Sequence, residues 1–169
     1  AKRIRVRLVG AGGSGGGCVP VAASYQSIGG GGGSGAYVES LYEVTPQILA
    51  GVPVSLGAGG AASNAAGQPG GGASFGTYMS AAGGAGGQIL TLAVTATAVG
   101  FIQGGAGGQA VTGGTLSNAR GIGGEYGLYN ANWGVLAGAG GSSPFDGGAP
   151  RIGVNGTGGS GGRGSGGSG

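Results

Sequence analysis

Apolar and polar residues alternate at period two in only a few short stretches, and glycine runs separate them. Arg3 to Val9 places Ile4, Val6 and Leu8 on one face and Arg3, Arg5 and Arg7 on the other, the pattern of a half-buried strand. Its arginine face suits solvent or a docking surface. Ala36 to Thr45 alternates again, with Val38, Ser40, Tyr42 and Val44 opposite Tyr37, Glu39, Leu41 and Glu43. Val52 to Leu56 follows Thr45-Pro46 closely, which predicts an antiparallel hairpin between the two, with Pro53 at an edge or at a position needing no donor. Gln88 to Gln103 is the most β-prone segment, with Leu90, Leu92 and Val94 on one face and Thr91, Thr95 and Thr97 largely on the other. It predicts an extended strand or a hairpin.

Between these stretches the pattern weakens. Cys18 to Ile28 has neither helical nor strand period and reads as a loop, Ala61 to Pro69 and Ala73 to Ala82 as short connections, and Gln109 to Arg120 as a polar insert. Glu125 to Leu136 concentrates Tyr126, Tyr129 and Trp133 with Asn130 and Asn132. No segment carries a helical moment or an N-cap followed by good helix formers, so no α-helix is expected.

The glycine runs are Gly10 to Gly17, Gly29 to Gly35, Gly57 to Gly60, Gly70 to Gly72, Gly83 to Gly87, Gly104 to Gly108, Gly121 to Gly124, Gly138 to Gly141 and Gly156 to Gly169, each with an occasional other residue. Glycine makes up 52 of 169 residues, a share that ordinarily signals collagen or low-complexity sequence. Collagen fails, because proline numbers only 6 and the three-residue phase breaks inside the runs. Disorder fits poorly, since hydrophobic residues are 39% and charged residues 7% of the chain. Ordering so much glycine is costly, and glycine weakens helix and sheet interiors alike. The remaining regular geometry is the three-residue-per-turn helix of the polyproline II type, whose N–H and C=O groups point outward and can bond to neighbouring rods. Such rods approach closely only where no Cβ intervenes. The fold class predicted is a packed bundle of polyglycine II helices with a small antiparallel β-element from residues 3–9, 36–45 and 52–56. One domain over 1–169 fits the length.

Composition then narrows the chemistry. A net charge of +3 from 7 basic and 4 acidic residues gives no broad basic field, so no nucleic-acid partner is expected. Histidine is absent and Cys18 is the single cysteine, which removes histidine-based metal sites and general bases and any internal disulfide, and leaves a small buried thiol. Ala1-Lys2-Arg3 lacks an apolar signal region, and Ile89 to Ile102 is too short and too threonine-rich for a membrane span, so neither a signal peptide nor membrane insertion is expected. Gly10-Ala11-Gly12-Gly13-Ser14-Gly15 fits the dinucleotide fingerprint after a strand, but Gly16-Gly17-Cys18-Val19-Pro20 cannot open the helix that would hold a pyrophosphate. No cofactor is expected. The acids are Glu39, Glu43, Glu125 and Asp146, and Glu39 and Glu43 lie about 13 Å apart by strand rise, too far for a glycosidase pair. They read as solvated surface acids. Asn155-Gly156-Thr157 fits a glycosylation sequon.

The order of the short motifs is more specific than any one of them. A strand ending Val9-Gly10-Ala11-Gly12-Gly13, then Ala36-Tyr37-Val38-Glu39, Val44-Thr45-Pro46, Val52-Pro53-Val54-Ser55-Leu56-Gly57-Ala58-Gly59-Gly60, Gly72-Ala73-Ser74-Phe75-Gly76 and Gly140-Gly141-Ser142-Ser143-Pro144-Phe145 resembles the glycine-rich domain of bacteriophage tail fibres. The wider architecture is similar to the tail-tip adhesins of T-even-like phages. The resemblance implies a non-enzymatic, virion-borne receptor-binding domain at the distal end of a tail fibre. Its implied partners are a host surface polysaccharide or outer-membrane protein, the remainder of the fibre, and further copies in a trimer. Tyr126, Tyr129, Asn130, Asn132 and Trp133, with Tyr25 from another loop, are the receptor-binding candidates, because aromatics give stiff contact area and amides adaptable hydrogen bonds. The same rings could instead cap the glycine bundle or fill a subunit interface. A structural glycine-rich fibre or coat protein is the alternative in another class. Ice binding would need regular Thr or Ala spacing on one side, which the irregular inserts lack.

Overall fold

A computed structural model describes residues 2–95, 97–132, 134–148, 164 and 166–167. Among them the elements run β1 (Arg3–Val9), β2 (Tyr25–Gly29), β3 (Tyr37–Glu43), α1 (Pro46–Leu49), β4 (Val54–Leu56), β5 (Ala73–Phe75), β6 (Met79–Ala81), β7 (Ile89–Ala93), β8 (Val99–Ile102), β9 (Val111–Thr112), β10 (Ser117–Ala119), β11 (Gly127–Asn130) and β12 (Gly134–Leu136). The strands form small antiparallel sheets.

The alternation of β1 finds its match in β3, with Val6 opposite Ser40 and Leu8 opposite Val38, and β10 adds to the far edge of β3. A second sheet of order β4-β5-β6-β9 presents Ala73, Phe75, Met79, Ala81 and Val111 to the first. Leu8, Ala36, Val38, Ala73, Met79 and Ala81 are buried between them, with Val6, Tyr42, Phe75, Tyr78 and Val111 packed around this core. Burial of this kind, at about 25 cal/mol per Å² of apolar surface, offsets the entropy of ordering short strands that could not stand alone. The hydroxyl of Tyr42 lies 3.1 Å from the Tyr78 carbonyl and 3.2 Å from that of Gly113, so its polar end is satisfied at the rim.

The glycine runs continue from this sandwich, and their backbone groups bond to one another. The run 30–36 lies at their centre. Gly30, Gly33 and Ala36 donate their N–H groups to Gln88, Ala85 and Ala82; Gly31 and Ser34 donate to Glu125 and Ile122; Gly32 and Gly35 donate to Gly167 and Gly164, all at 2.6–3.0 Å. The carbonyls follow the same period of three. Those of Gly30, Gly33 and Ala36 accept from Gly16, Gly13 and Gly10, those of Gly31 and Ser34 from Gly105 and Gly108, and that of Gly32 from Gly141. One run therefore meets six others, and each of its N–H groups is satisfied. Glycine is required by that closeness: a Cβ on Gly31 would stand 1.9 Å from the Ala139 carbonyl oxygen, and one on Gly33 2.1 Å from that of Ala106. Ala85 and Ala106, by contrast, turn their methyl groups outward and are exposed.

Several elements differ from the sequence expectation. The hairpin between 36–45 and 52–56 does not form: β3 pairs with β1 and β10, while β4 pairs with β5 in the facing sheet. The turn after β3 is taken by α1, where Thr45 Oγ1 accepts from the Ile48 N–H at 3.4 Å and Pro46 occupies the first turn. The sequence leads to no α-helix, and this single turn is the only helix among the described residues. Pro53 immediately precedes an edge strand, β4. Cys18 to Ile28 is part strand, since β2 pairs with β7, and Ala73 to Ala82 is a hairpin that turns at Gly76 with φ +51. Gln88 to Gln103 splits into β7 and β8, which pair in different sheets. Gln109 to Arg120 carries β9 and β10.

Candidate functional site

The hydrogen-bond register sorts the loops between the two ends of the glycine runs. Gly10, Ala36 and Ala82 are bonded together at the sandwich end, and Gly16, Gly30 and Gln88 at the other. From that other end emerge the segments 18–29, 89–103 and 126–137, which carry β2, β7, β8, β11 and β12. The β2–β7 pair packs against the sheet of order β12-β11-β8.

Period two decides what each face of the latter sheet carries. Gly100, Ile102, Gly127, Tyr129 and Val135 share the inner face. A Cβ on Gly100 would lie 3.2–3.3 Å from the side chains of Leu90 and Leu92, and one on Gly127 2.4 Å from the Gly29 carbonyl oxygen, so two glycines let β2 and β7 settle close. Tyr129 fills the remaining space and is 4% exposed. The outer face carries Val99 and Phe101 from β8, Leu128 and Asn130 from β11, and Leu136 from β12. Phe101 is 68% exposed, and Tyr126, just before β11, is 63% exposed. The result is an aromatic and aliphatic face open to solvent at one end of the molecule.

The candidate residues therefore separate. Tyr126 and Asn130 join the open face, while Tyr129 belongs to the packed interior. Asn132 is exposed at the β11–β12 turn, where its N–H donates to Asn130 Oδ1 at 2.8 Å, and Gly134 closes the hairpin at φ +85. That bond holds the Asn130 amide in place. Tyr25 lies opposite Ala93 at the end of the β2–β7 pair, exposed but on the face directed away from Leu90 and Leu92. Trp133 and the sequon Asn155-Gly156-Thr157 lie outside the described residues. Phe101 escapes the sequence reading, because the alternation assigns faces only as far as Thr97 and Phe101 lies beyond it, in the separate strand β8. The signal that could have found it is Val99-Gly100-Phe101, where glycine between two apolar residues marks an inner face too close for a side chain.

A second cluster sits on the outer face of the β1–β3 sheet. Glu39 is buried, contrary to the solvated acid expected, and accepts from Arg5 Nε, from Arg7 Nε at 3.2 Å and from the Tyr37 hydroxyl. The hydrogen bond from Tyr37 and those from the arginines hold its carboxyl down to about 2. Burial, followed by the hydrogen bond to Glu39, pushes the Tyr37 phenol up. Phe145 meets the Tyr37 ring edge-on with centroids 5.4 Å apart. Glu39 is thus a fixed anion with both oxygens engaged, suited to joining two strands and unsuited to moving a proton. Glu43 remains exposed beside Arg3. Cys18 is half-buried, its thiol donates to the Ser27 carbonyl at 3.4 Å, and burial raises its pKa, which makes it a poor nucleophile. Among the described residues no three His, Cys, Asp or Glu side chains gather to hold a metal ion, and no helix is long and apolar enough to cross a membrane. No protein-family model matches the chain, and no curated protein matches it.

Proposed function

We propose that this chain is a non-enzymatic receptor-binding domain at the distal end of a bacteriophage tail fibre, in which a bundle of polyglycine II helices presents the Val99, Phe101, Tyr126, Leu128, Asn130 and Leu136 face to the host surface. The period of three in the bonds of run 30–36, with six neighbouring runs, supports the polyglycine II assignment, because a threefold rod points successive N–H groups in three directions. The open aromatic face at the end of that bundle carries the receptor assignment. Rigid runs fix this face before contact, so binding loses little conformational entropy, and Phe101 and Tyr126 supply the ring area suited to sugars or to loops of an outer-membrane protein. The remainder of the fibre and further copies of the chain are its structural partners in this reading.

Adsorption of purified protein to host cells tests it. Phe101→Ser and Tyr126→Ala should each lower adsorption by at least tenfold with an unchanged melting temperature, as expected of interface hot spots. Unimpaired adsorption by both variants overturns the site. Spontaneous assembly of the isolated protein into filaments, with no adsorption, points to a structural fibre or coat protein.

A further inference from the structure

The sandwich at the opposite end is uneven. Among the described residues the four-stranded sheet β4-β5-β6-β9 faces three strands, β1-β3-β10. β1 packs on β5 and β6, β3 on β6 and β9, and β10 on β9, which leaves β4 beyond the edge of the smaller sheet. Val54 and Leu56 lie opposite Phe75 and Ala73 and share their core-directed face, yet Val54 is 59% and Leu56 76% exposed. Two aliphatic side chains point into the space where a further strand of the smaller sheet would lie.

The edge bordering that space is β1. Gly10 donates to Ala36 and Lys2 accepts from Val44, so the even-numbered residues of this strand direct their backbone groups to β3. Antiparallel pairing alternates, and the N–H and C=O groups of Arg3, Arg5 and Arg7 therefore point away from β3. Among the described residues no strand pairs with them.

We propose that this edge receives an extended segment of a partner chain in which apolar residues alternate with Asp or Glu, added as the missing strand beside β1. At the usual spacing of about 4.8 Å the added strand lies over β4, and its inward residues cover Val54 and Leu56. Its outward residues stand beside Arg3, Arg5 and Arg7. Glu39 takes the Nε of Arg5 and of Arg7, which leaves the terminal nitrogens of both guanidinium groups to meet incoming carboxylates. The same charges decide against a second copy of this chain, since two β1 strands paired across a twofold axis would set arginine opposite arginine. Arginines on an edge strand commonly discourage pairing. Here they select the sequence that can pair. This inference stands apart from the receptor reading, which concerns the other end of the molecule.

The probe is a blocked heptapeptide alternating Glu and Val, with its Lys and Val counterpart as control, titrated into the whole chain by calorimetry and followed by amide hydrogen exchange. The Glu peptide should bind saturably and at least tenfold more tightly than the Lys peptide, and it should slow exchange at Arg3, Arg5 and Arg7. Leu56→Asp should weaken binding by at least tenfold at an unchanged melting temperature, and Arg5→Gln should reduce the preference for the Glu peptide. Absence of saturable binding, equal affinity for the two peptides, indifference to Leu56→Asp, or exchange protection confined to other strands overturns the proposal. So does concentration-dependent self-association that slows exchange at Arg5 without any peptide.

Discussion

Ser34 and Ile122 exchange two hydrogen bonds: the Ser34 N–H donates to the Ile122 carbonyl at 2.9 Å, and Ser34 Oγ accepts from the Ile122 N–H at 2.7 Å. Ser14 and Gln68 repeat the arrangement at 3.0 and 2.8 Å. Both serines are fully buried within glycine runs, so each hydroxyl supplies an acceptor that the backbone alone does not offer there. Ser34→Ala should therefore strand the Ile122 N–H and cost about 1–3 kcal/mol. Ser55→Ala, on an exposed strand, serves as the control. Chemical denaturation of the two variants decides it, and equal midpoints would show that the serine acceptor is dispensable.

A methyl group alone should be enough to disrupt the glycine lattice. A Cβ on Gly33 meets the Ala106 carbonyl oxygen at 2.1 Å, whereas one on Gly59 meets only the Gly12 oxygen, at 3.8 Å. Gly33→Ala must push two backbones apart and should cost about 1–3 kcal/mol on the overpacking scale. Gly59→Ala should be neutral or stabilise by up to about 1 kcal/mol, by restricting the unfolded chain. Thermal melts that fail to separate the two would contradict packing of these runs at backbone contact.

Acid sensitivity should trace to Glu39. Its folded carboxyl titrates at about 2, below its ordinary value of 4.5, so the stability it contributes is complete above 4.5 and is lost as the pH falls towards 2. Glu39→Gln should melt lower than the parent at pH 7 and lose the part of the acid-side decline that belongs to this group. Melting temperatures taken from pH 7 to pH 2 provide the measurement. An identical pH profile in the variant would show that the cluster with Arg5, Arg7 and Tyr37 does not contribute to stability.

The two tyrosines of the β11 segment should behave in opposite ways. Tyr129→Ala empties a buried position and should cost about 3–5 kcal/mol, while Tyr126→Ala removes an exposed ring and should stay within about 0.5 kcal/mol. Equal losses would mean that Tyr126 is packed as tightly as its neighbour.

Dinucleotides should not bind at Gly10 to Gly15. The N–H groups of Gly10, Ala11, Gly13 and Ser14 already donate to Ala36, Gly71, Gly33 and Gln68, so a pyrophosphate would have to displace lattice bonds. Calorimetry with NAD, NADP and ATP checks this, and a saturable micromolar site would disprove it.

How much of this was legible in the sequence follows from what each pattern records. Alternation in Arg3 to Val9 and in Tyr37 to Glu43 reports a strand with one buried face, and both strands are present. Alternation does not name the partner strand, and so closeness in sequence points β4 to β3, whereas the apolar face of Val54 and Leu56 belongs with Phe75 and Ala73. The three-directional bonding of run 30–36 leaves no periodic trace, because glycine occupies nearly every position whichever way its N–H points. Only Ser14, Ser34, Ala85 and Ala106 hint at it, by marking where a side chain can be used or turned outward. At the candidate site, Tyr126 and Tyr129 are alike in composition. A difference of three residues on a strand sends them to opposite environments, and that parity depends on where β11 begins.

The position of run 30–36 at the centre of the lattice also sets the order in which the molecule can be made. Gly33 can meet Gly13 early, but Ser34 waits for Ile122 and Gly32 for Gly167. At about 5–20 residues per second the ribosome needs roughly 7–27 s to travel from Gly32 to Gly167. Throughout that interval the N–H groups of Gly32 and Gly35, in the innermost segment of the finished lattice, must stay hydrated while their neighbours pair. The bonds at the centre of the lattice are thus completed only once residues 164–167 have been made, and a nascent chain released before them lacks bonds at its centre.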